Sequence, residues 1–286
     1  MTEGSETIMD RIEDLDGSTI QHGKYNDRIY LMDIGDDPSE SLETDLISLA
    51  EGKGYSKIFA KIPSTFSQRF VNYGYSVEAR VPGFFEGEED ALFMAYYLDE
   101  HRSEVGMGKK LDEILQLARK KSNESFGETP EEGFEIRRCE EDDIDRMAVV
   151  YRKVFPSYPF PIHDREYLHK TMRSHIDYFC VEKVDEIIAL SSAEKNIERS
   201  NVEMTDFATL PEWRGKNLGL HLLKRMDEEM KERGFIISYT IARARSPGMN
   251  ITFARCDYRF GGRLINNTNI SGDIESMNVW YKHLDG

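Results

Sequence analysis

Between Asn201 and Gly234 the chain switches hydrophobic period once. Asn201 to Leu210 alternates as a long strand, and Leu218 to Arg233 carries the apolar spacing of a helix stopped by Gly234. The segment that makes the switch is Leu210 to Gly219, LPEWRGKNLG. Helix starts leave backbone amides unpaired, and with the helix dipole behind them such amides bind phosphate oxygens. Arg214 and Gly215 open the turn, and Asn217 and Gly219 sit where the amides become unpaired. Arg214, Lys216 and Lys224 add positive charge to a chain of net charge -16. No Gly-Lys-Ser/Thr follows, so this is not a nucleotide P-loop. Taken alone, the pattern also fits an ordinary glycine-rich turn capping a helix.

The rest of the second half alternates strands and helices. Phe134 to Arg138 reads as a strand, Glu141 to Phe155 and Asp164 to Ser174 as helices, and Tyr178 to Lys183 with Glu186 to Lys195 as a hairpin. After the Leu218 helix come a strand at Ile236 to Ala242, a short helix at Met249 to Cys256, and strands at Tyr258 to Ile265 and Glu275 to Leu284. The order is βααβββαβαββ. The first hundred or so residues read as a smaller α/β module over 1–104, with residues 1–27 loose. An amphipathic helix and a polar stretch, Ser122 to Gly133, make a linker over 105–133 before the domain at 134–286. An internal echo joins the halves: Gly74-Tyr75, Arg80-Val81 and Asp90-Ala91-Leu92 match Asp257-Tyr258, Arg263-Leu264 and Glu275-Ser276-Met277.

Charge and composition narrow the partners. A field of this sign repels nucleic acid and anionic membranes and draws in small cations. The acidic start, Met1 to Asp16, lacks the basic and apolar regions of a signal peptide, so the expected compartment is the cytoplasm. Cys139, Cys180 and Cys256 are widely spaced and odd in number, which suits reduced thiols, and the 7 histidines form no ligand-spaced pair, so no metal is expected.

Arg-Gly-Lys-Asn-Leu-Gly after Leu-Pro-Glu-Trp resembles the R/Q-x-x-G-x-G/A pyrophosphate loop of GNAT acetyltransferases, and the βααβββαβαββ order resembles their fold. The resemblance implies an α/β fold with a mixed, mostly antiparallel twisted sheet flanked by helices. It implies acetyl-CoA as co-substrate, with its pyrophosphate on the amides of Lys216 to Leu220. Asn217 replaces the usual first glycine, a mild departure because Asn tolerates positive φ. Phe207, Ala208 and Thr209 would run beside the cofactor, and Asn250 and Phe253 would meet its pantetheine arm. The runs Gly262 to Ile270, Glu275 to Tyr281 and Met249 to Ala254 are similar to the β-lysine N-acetyltransferases of methanogenic archaea and some bacteria. That likeness covers most of the chain. It implies acetylation of the ε-amine of β-lysine to Nε-acetyl-β-lysine, a compatible solute made under salt stress. Other acceptors within the family are a polyamine, an aminoglycoside or a protein lysine, and a CoA-binding regulator without turnover is the rival outside it.

An alkyl ammonium has a pKa of about 10.4 and must lose a proton before it attacks a thioester. Glu203 matches the family's glutamate base. Alternation puts it on one strand face with Thr205, Phe207 and Thr209, and puts Asp206 on the other with Val202, Met204 and Ala208, unless a bulge intervenes. Asp206 is a second base or an ammonium ligand. The family's tyrosine acid falls at Phe253, so Tyr258, Tyr281 and solvent are the substitutes. Tyr158 and Phe160, in the proline-rich Phe155 to Pro161, are expected to wall the acceptor pocket, with Arg263 or Asn266 holding a carboxylate. The N-terminal module is a dimer interface, a lid or a relic, and a homodimer is open.

Overall fold

The computed structural model describes residues 10–125, 127, 132–156, 158–270 and 272–284. The expected linker at 122–133 includes residues 126 and 128–131, and the Phe155 to Pro161 stretch includes Ser157; these lie outside the described residues. The N-terminal half runs β1 (Arg11–Leu15), β2 (Ser18–Gly23), β3 (Arg28–Asp33), α1 (Leu42–Lys53), β4 (Lys57–Pro63), α2 (Ser67–Asn72), β5 (Ser76–Phe85) and β6 (Glu89–Tyr97). After α3 (Gly108–Lys121), the C-terminal half runs β7 (Glu135–Arg138), α4 (Ile144–Val154), α5 (Arg165–Met172), β8 (Ile176–Lys183), β9 (Glu186–Asn196), β10 (Asn201–Thr209), α6 (Leu218–Glu232), β11 (Ile237–Arg243), α7 (Pro247–Arg255), β12 (Arg259–Ile270) and β13 (Asp273–His283). The βααβββαβαββ order is therefore the observed one.

One expectation fails at the start of the chain. Residues 11–23 form a hairpin, not a loose tail, with Arg11 opposite His22 and Leu15 opposite Ser18. Its turn is Asp16-Gly17, both at positive φ (49° and 84°), the conformation a two-residue hairpin turn requires. The Asp-Gly pair was the available signal.

Among the described residues all strands join one 13-stranded sheet, in the order β1-β2-β3-β4-β6-β5-β12-β13-β11-β10-β9-β8-β7. The order contains a repeat. In the N-terminal half β3 pairs parallel with β4, β4 antiparallel with β6, and β6 antiparallel with β5. In the C-terminal half β10 pairs parallel with β11, β11 antiparallel with β13, and β13 antiparallel with β12. Each parallel pair is bridged by one helix, α1 or α6, and each second crossover by another, α2 or α7. The echo between the hairpins at Tyr75 and Tyr258 is one part of this larger duplication. The first copy passes from Asp37-Pro38 to α1 without a counterpart of Arg214-Gly215-Lys216.

Apolar stripes explain the layers. In α6, Leu218, Leu222, Leu223, Met226 and Met230 face the sheet, and α4 buries Ile144, Met147, Ala148, Val150 and Tyr151. A third apolar cluster belongs to both halves: Tyr30, Phe59, Phe84 and Phe93 of the first pack with Ile237, Tyr239, Leu264 and Val279 of the second. Polar bonds reinforce that seam. The carbonyls of Ile265, Asn266 and Asn267 accept from Lys57 (2.7 Å), Arg102 (2.7 Å) and Arg28, and Lys57 also pairs with Glu78 at 2.9 Å. Among the described residues no helix is long and apolar enough to cross a membrane.

The halves meet where Gly262 of β12 lies opposite Ala79 of β5. Gly262 has φ 151°, and a Cβ there would stand 2.2 Å from the Glu78 carbonyl oxygen and 2.5 Å from Ala79 Cα. Both contacts are backbone, which cannot swing aside. Gly262→Ala is expected to cost about 2–3 kcal/mol by overpacking and strain, lowering the melting temperature by about 5 °C in scanning calorimetry. An unshifted melt would show that the seam yields.

Candidate active site

The loop after β10 is open. Pro211, Glu212, Arg214, Gly215 and Asn217 are exposed, and nothing lies within 4 Å of a Cβ built on Gly215. A short 3-10 turn, Pro211–Trp213, ends β10. Gly215 (φ 85°) and Asn217 (φ 59°, ψ 20°) then adopt left-handed conformations that swing the chain into α6. Asn217 makes no side-chain cap, so the first-turn amides of a 15-residue helix face outward uncapped by it. Leu218 buries its side chain and has only its amide to offer, whereas the Leu220 amide already donates to the Asn217 carbonyl at 3.0 Å. Phe134 and Trp213 pack edge to face at 5.8 Å, with Lys183 over both rings and Lys216 over Phe134. These features fit a diphosphate.

Beside the loop the sheet opens. The parallel ladder of β10 with β11 runs only from Asn201–Ile237 to Glu203–Tyr239, while β11 continues to Arg243 along β13. Past Glu203 the facing edges of β10 and β11 diverge into a cleft whose backbone groups are available to a ligand. On its other side β10 carries a bulge: Thr205 lies opposite Ser192 and Ala208 opposite Leu190. Ser192 and Leu190 share a face, so Thr205 and Ala208 do too. The extra residue is Asp206, at φ 54°. Simple alternation therefore fails here: the bulge moves Ala208 to the Glu203 face and turns the Asp206 carboxylate to Ser192 on that same face.

The acid groups converge at the cleft's inner end. Asp206 Oδ1 accepts from the Tyr158 hydroxyl at 2.5 Å and Oδ2 from Ser192 Oγ at 2.6 Å. Burial raises the Asp206 pKa, against the hydrogen bonds from Ser192 and Tyr158. Glu203 stands directly across the ladder from Glu194. Burial first, then the Glu194 charge, pushes the Glu203 pKa up to about 7, with Lys61 and Tyr239 opposing. A carboxylate poised near neutrality is what a general base needs. Tyr158 also packs on Phe155, with ring centroids 4.8 Å apart, and Phe160 lies half-buried against the C-terminal core.

The comparisons agree with this geometry. The model of the Acetyltransferase (GNAT) family matches residues 144–248. A "Beta-lysine N(6)-acetyltransferase" of Methanococcus maripaludis is 37% identical over 278 residues, 96% of this chain and 99% of that protein. The chain belongs to the GNAT acetyltransferase family. A "Beta-lysine N(6)-acetyltransferase" of Methanosarcina mazei is 32% identical over 86% of the chain and 97% of its own length. The "N-acetyltransferase YodP" of Bacillus subtilis is 31% identical over 93% and 96%. As a GNAT enzyme the protein is an acetyl-CoA-dependent N-acetyltransferase with a mixed sheet flanked by helices.

Several residues expected at the GNAT site are spent elsewhere. Asn250 is buried, and its amide is saturated: Nδ2 donates to the Arg243 and Ser246 carbonyls, and Oδ1 accepts from Asn278 and Trp280. It braces α7 on the sheet and has no group left for a pantetheine arm. Phe253 is closed off between Phe207 and Tyr258. Tyr258 is also buried, and its hydroxyl bonds Asp227 Oδ1 at 2.6 Å and Ser238. Burial and then the Asp227 charge hold its pKa well above the ordinary tyrosine value, and its proton is committed to Asp227. Tyr281 neighbours Tyr239 on β13, two strands from β10. Arg263 pairs with Asp112 at 2.8 Å, and Asn266 donates to the Arg102 and Glu104 carbonyls; β13 and β11 separate their strand from β10. Both hold the seam between the halves.

Sequence reasoning missed Glu194, Ser192, Tyr239 and Lys61. Glu194 and Ser192 were recoverable by extending the β9–β10 hairpin from its turn. Lys61 comes from the other copy, and no local signal marks it. Tyr258→Phe is expected to keep kcat within about threefold while destabilising the fold by about 1–3 kcal/mol, because Asp227 loses a buried donor. A thousandfold loss of kcat in a well-folded variant would reinstate Tyr258 as the acid.

Proposed function

We propose that the protein transfers the acetyl group of acetyl-CoA to the ε-amine of β-lysine, giving Nε-acetyl-β-lysine, with Glu203 as general base. The placement of Glu203 at the end of the β10–β11 ladder, across from Glu194, is the observation that carries the mechanism, and burial with the Glu194 charge pushing its pKa up to about 7 supports it. The likeness along nearly the whole chain to relatives named for β-lysine supports the acceptor. Bound acetyl-CoA supplies a thioester carbon open to an amine. Arg214 and the amides of Lys216 to Gly219 hold its diphosphate, and the free edge at Phe207, Ala208 and Thr209 lines its arm. Asp206, held by Ser192 and Tyr158, and Glu194 attract the two ammoniums of the acceptor. Glu203 takes a proton from the ε-ammonium, and strand amides at the cleft stabilise the oxyanion. The leaving group is an alkyl thiolate, and solvent serves as its proton source. Acetylation converts a net cation into a zwitterion without net charge, a form suited to accumulation in the cytosol.

Purified protein is expected to release CoA thiol with acetyl-CoA and β-lysine faster than with α-lysine or spermidine. A preference for either alternative would replace the acceptor. Glu203→Gln is expected to lower kcat by about 10²–10³ with acetyl-CoA KM within about twofold, as removal of a general base should.

The pH profile supplies a second check. Glu203 must be unprotonated to act, so kcat/KM should fall as pH drops through about 7, and this limb should vanish in Glu203→Gln. The stability link has the opposite sense. A raised folded-state pKa adds stability that is full below the unfolded carboxylate pKa and is lost as pH rises through about 7.

A further inference from the structure

The site described so far uses one copy of the repeat, yet its acid groups face the other. The shared apolar cluster ends at Tyr239, the ladder partner of Glu203. Phe84 of the N-terminal half packs edge to face on Tyr239 with centroids 4.8 Å apart. Turns lock the two halves in this relation: Asn201 Nδ2 donates to the Phe84 carbonyl at 3.2 Å, the Glu86 amide to the Arg199 carbonyl at 3.1 Å, and Arg199 pairs with Asp36 at 2.6 Å. The N-terminal half is therefore a fixed wall opposite the cleft.

Lys61 projects from that wall. It sits in β4 immediately past the end of the β3–β4 parallel ladder, at Leu31–Ala60, where the first copy begins to diverge as the second does past Tyr239. Its ammonium lies 5.8 Å from the Tyr239 ring centre and 5.6 Å from that of Phe84, and the residue is half-buried. Among the described residues it makes no hydrogen bond or ion pair, unlike buried Lys57 four residues earlier, which bonds Glu78 and the Ile265 carbonyl. Burial works against its charge, but Tyr30, Glu203, Asp33 and Glu194 outweigh burial and raise its pKa. The result is a fixed ammonium over aromatic rings, without a direct acceptor, at the edge of an acidic pocket. Ring faces satisfy part of its charge and none of its directional N–H bonds.

We propose that Lys61 receives the carboxylate of the amino-acid acceptor, so that the N-terminal half supplies the acceptor's anion site while the C-terminal half supplies its ammonium sites and the donor cleft. This rests on the β-lysine reading above. An acceptor with two ammoniums and one carboxylate needs a lone cation set among acids, and Lys61 is placed to be that cation. The assignment replaces Arg263 and Asn266, whose strand is separated from β10 by β13 and β11.

The test compares two acceptors in wild type, Lys61→Met and Lys61→Arg: β-lysine and its decarboxylated diamine, which keeps both ammoniums. Wild type should favour β-lysine in kcat/KM. Lys61→Met should cut that preference by about 100-fold, mainly through the KM of β-lysine, which is the loss expected for one charge-assisted pair. Acetyl-CoA KM should stay within about twofold. Lys61→Arg should keep the preference within about tenfold, and it also answers the question if Lys61→Met fails to fold. If Lys61 acted only by tuning Glu203, both acceptors would lose equally and the acidic limb of both pH profiles would shift together; that result overturns the proposal. An undiminished preference in Lys61→Met overturns it too. Wild type that ignores β-lysine would instead bring down the acceptor reading itself, and this is seen before any variant is made.

Discussion

Parallel strands β10 and β11 remain hydrogen-bonded only from Asn201 to Glu203, and that early divergence positions each functional part of the molecule. Strands in a sheet normally satisfy each other's backbone groups, so two that separate leave donors and acceptors exposed at their facing edges. The sheet tolerates the gap because each strand is secured on its far side, β10 by β9 and β11 by β13. At the outer end, the loop of Arg214 to Asn217 turns β10 into α6 and presents the helix's first amides beside the opening. At the inner end, where the ladder still holds, sits Glu203. In the proposed mechanism, one geometric feature thus spaces a diphosphate grip from a proton acceptor.

The bulge at Asp206 is the second device on the same strand. It spends one residue at positive φ to bring two carboxylates onto one face. A regular strand would send Asp206 into the layer occupied by Val202 and Met204, where a carboxylate would be costly. With the bulge, Ser192 and Tyr158 hold it by hydrogen bonds. Glu203 has the Tyr239 hydroxyl as a donor but also faces Glu194, and burial with that charge raises its proton affinity. Two acids three residues apart thereby differ in behaviour: one is fixed by donors, the other is free to exchange a proton.

The diphosphate loop and the element order were legible in the sequence because both are local. Arg214-Gly215-Lys216-Asn217 lies between a period-two and a helical pattern, and nothing distant alters that reading. The acid–base assignments were legible only in part. Glu203 stands out by its strand position, but the facing of Asp206 depends on a bulge that alternation cannot locate. Asn250, Phe253 and Tyr258 looked functional because their spacing matched, yet burial among Asn278, Trp280 and Asp227 gives them structural work. Spacing along a chain records neither how many partners a side chain already has nor whether a ligand can reach it. Lys61 was invisible for a different reason: its neighbours at Tyr239 and Glu203 are remote in sequence and arrive only when the sheet brings the two copies face to face.

The missing loop in the first copy has an evolutionary consequence. A duplicated unit that drops its Arg-Gly-Lys turn can no longer grip a diphosphate, and its surface is then released from the constraints of donor binding. Residues on that copy can drift under selection for the acceptor alone, while the intact copy preserves the grip. In the proposed arrangement, changes on that copy, at Lys61 among them, can retune the acceptor's anion site without loosening the grip on the donor.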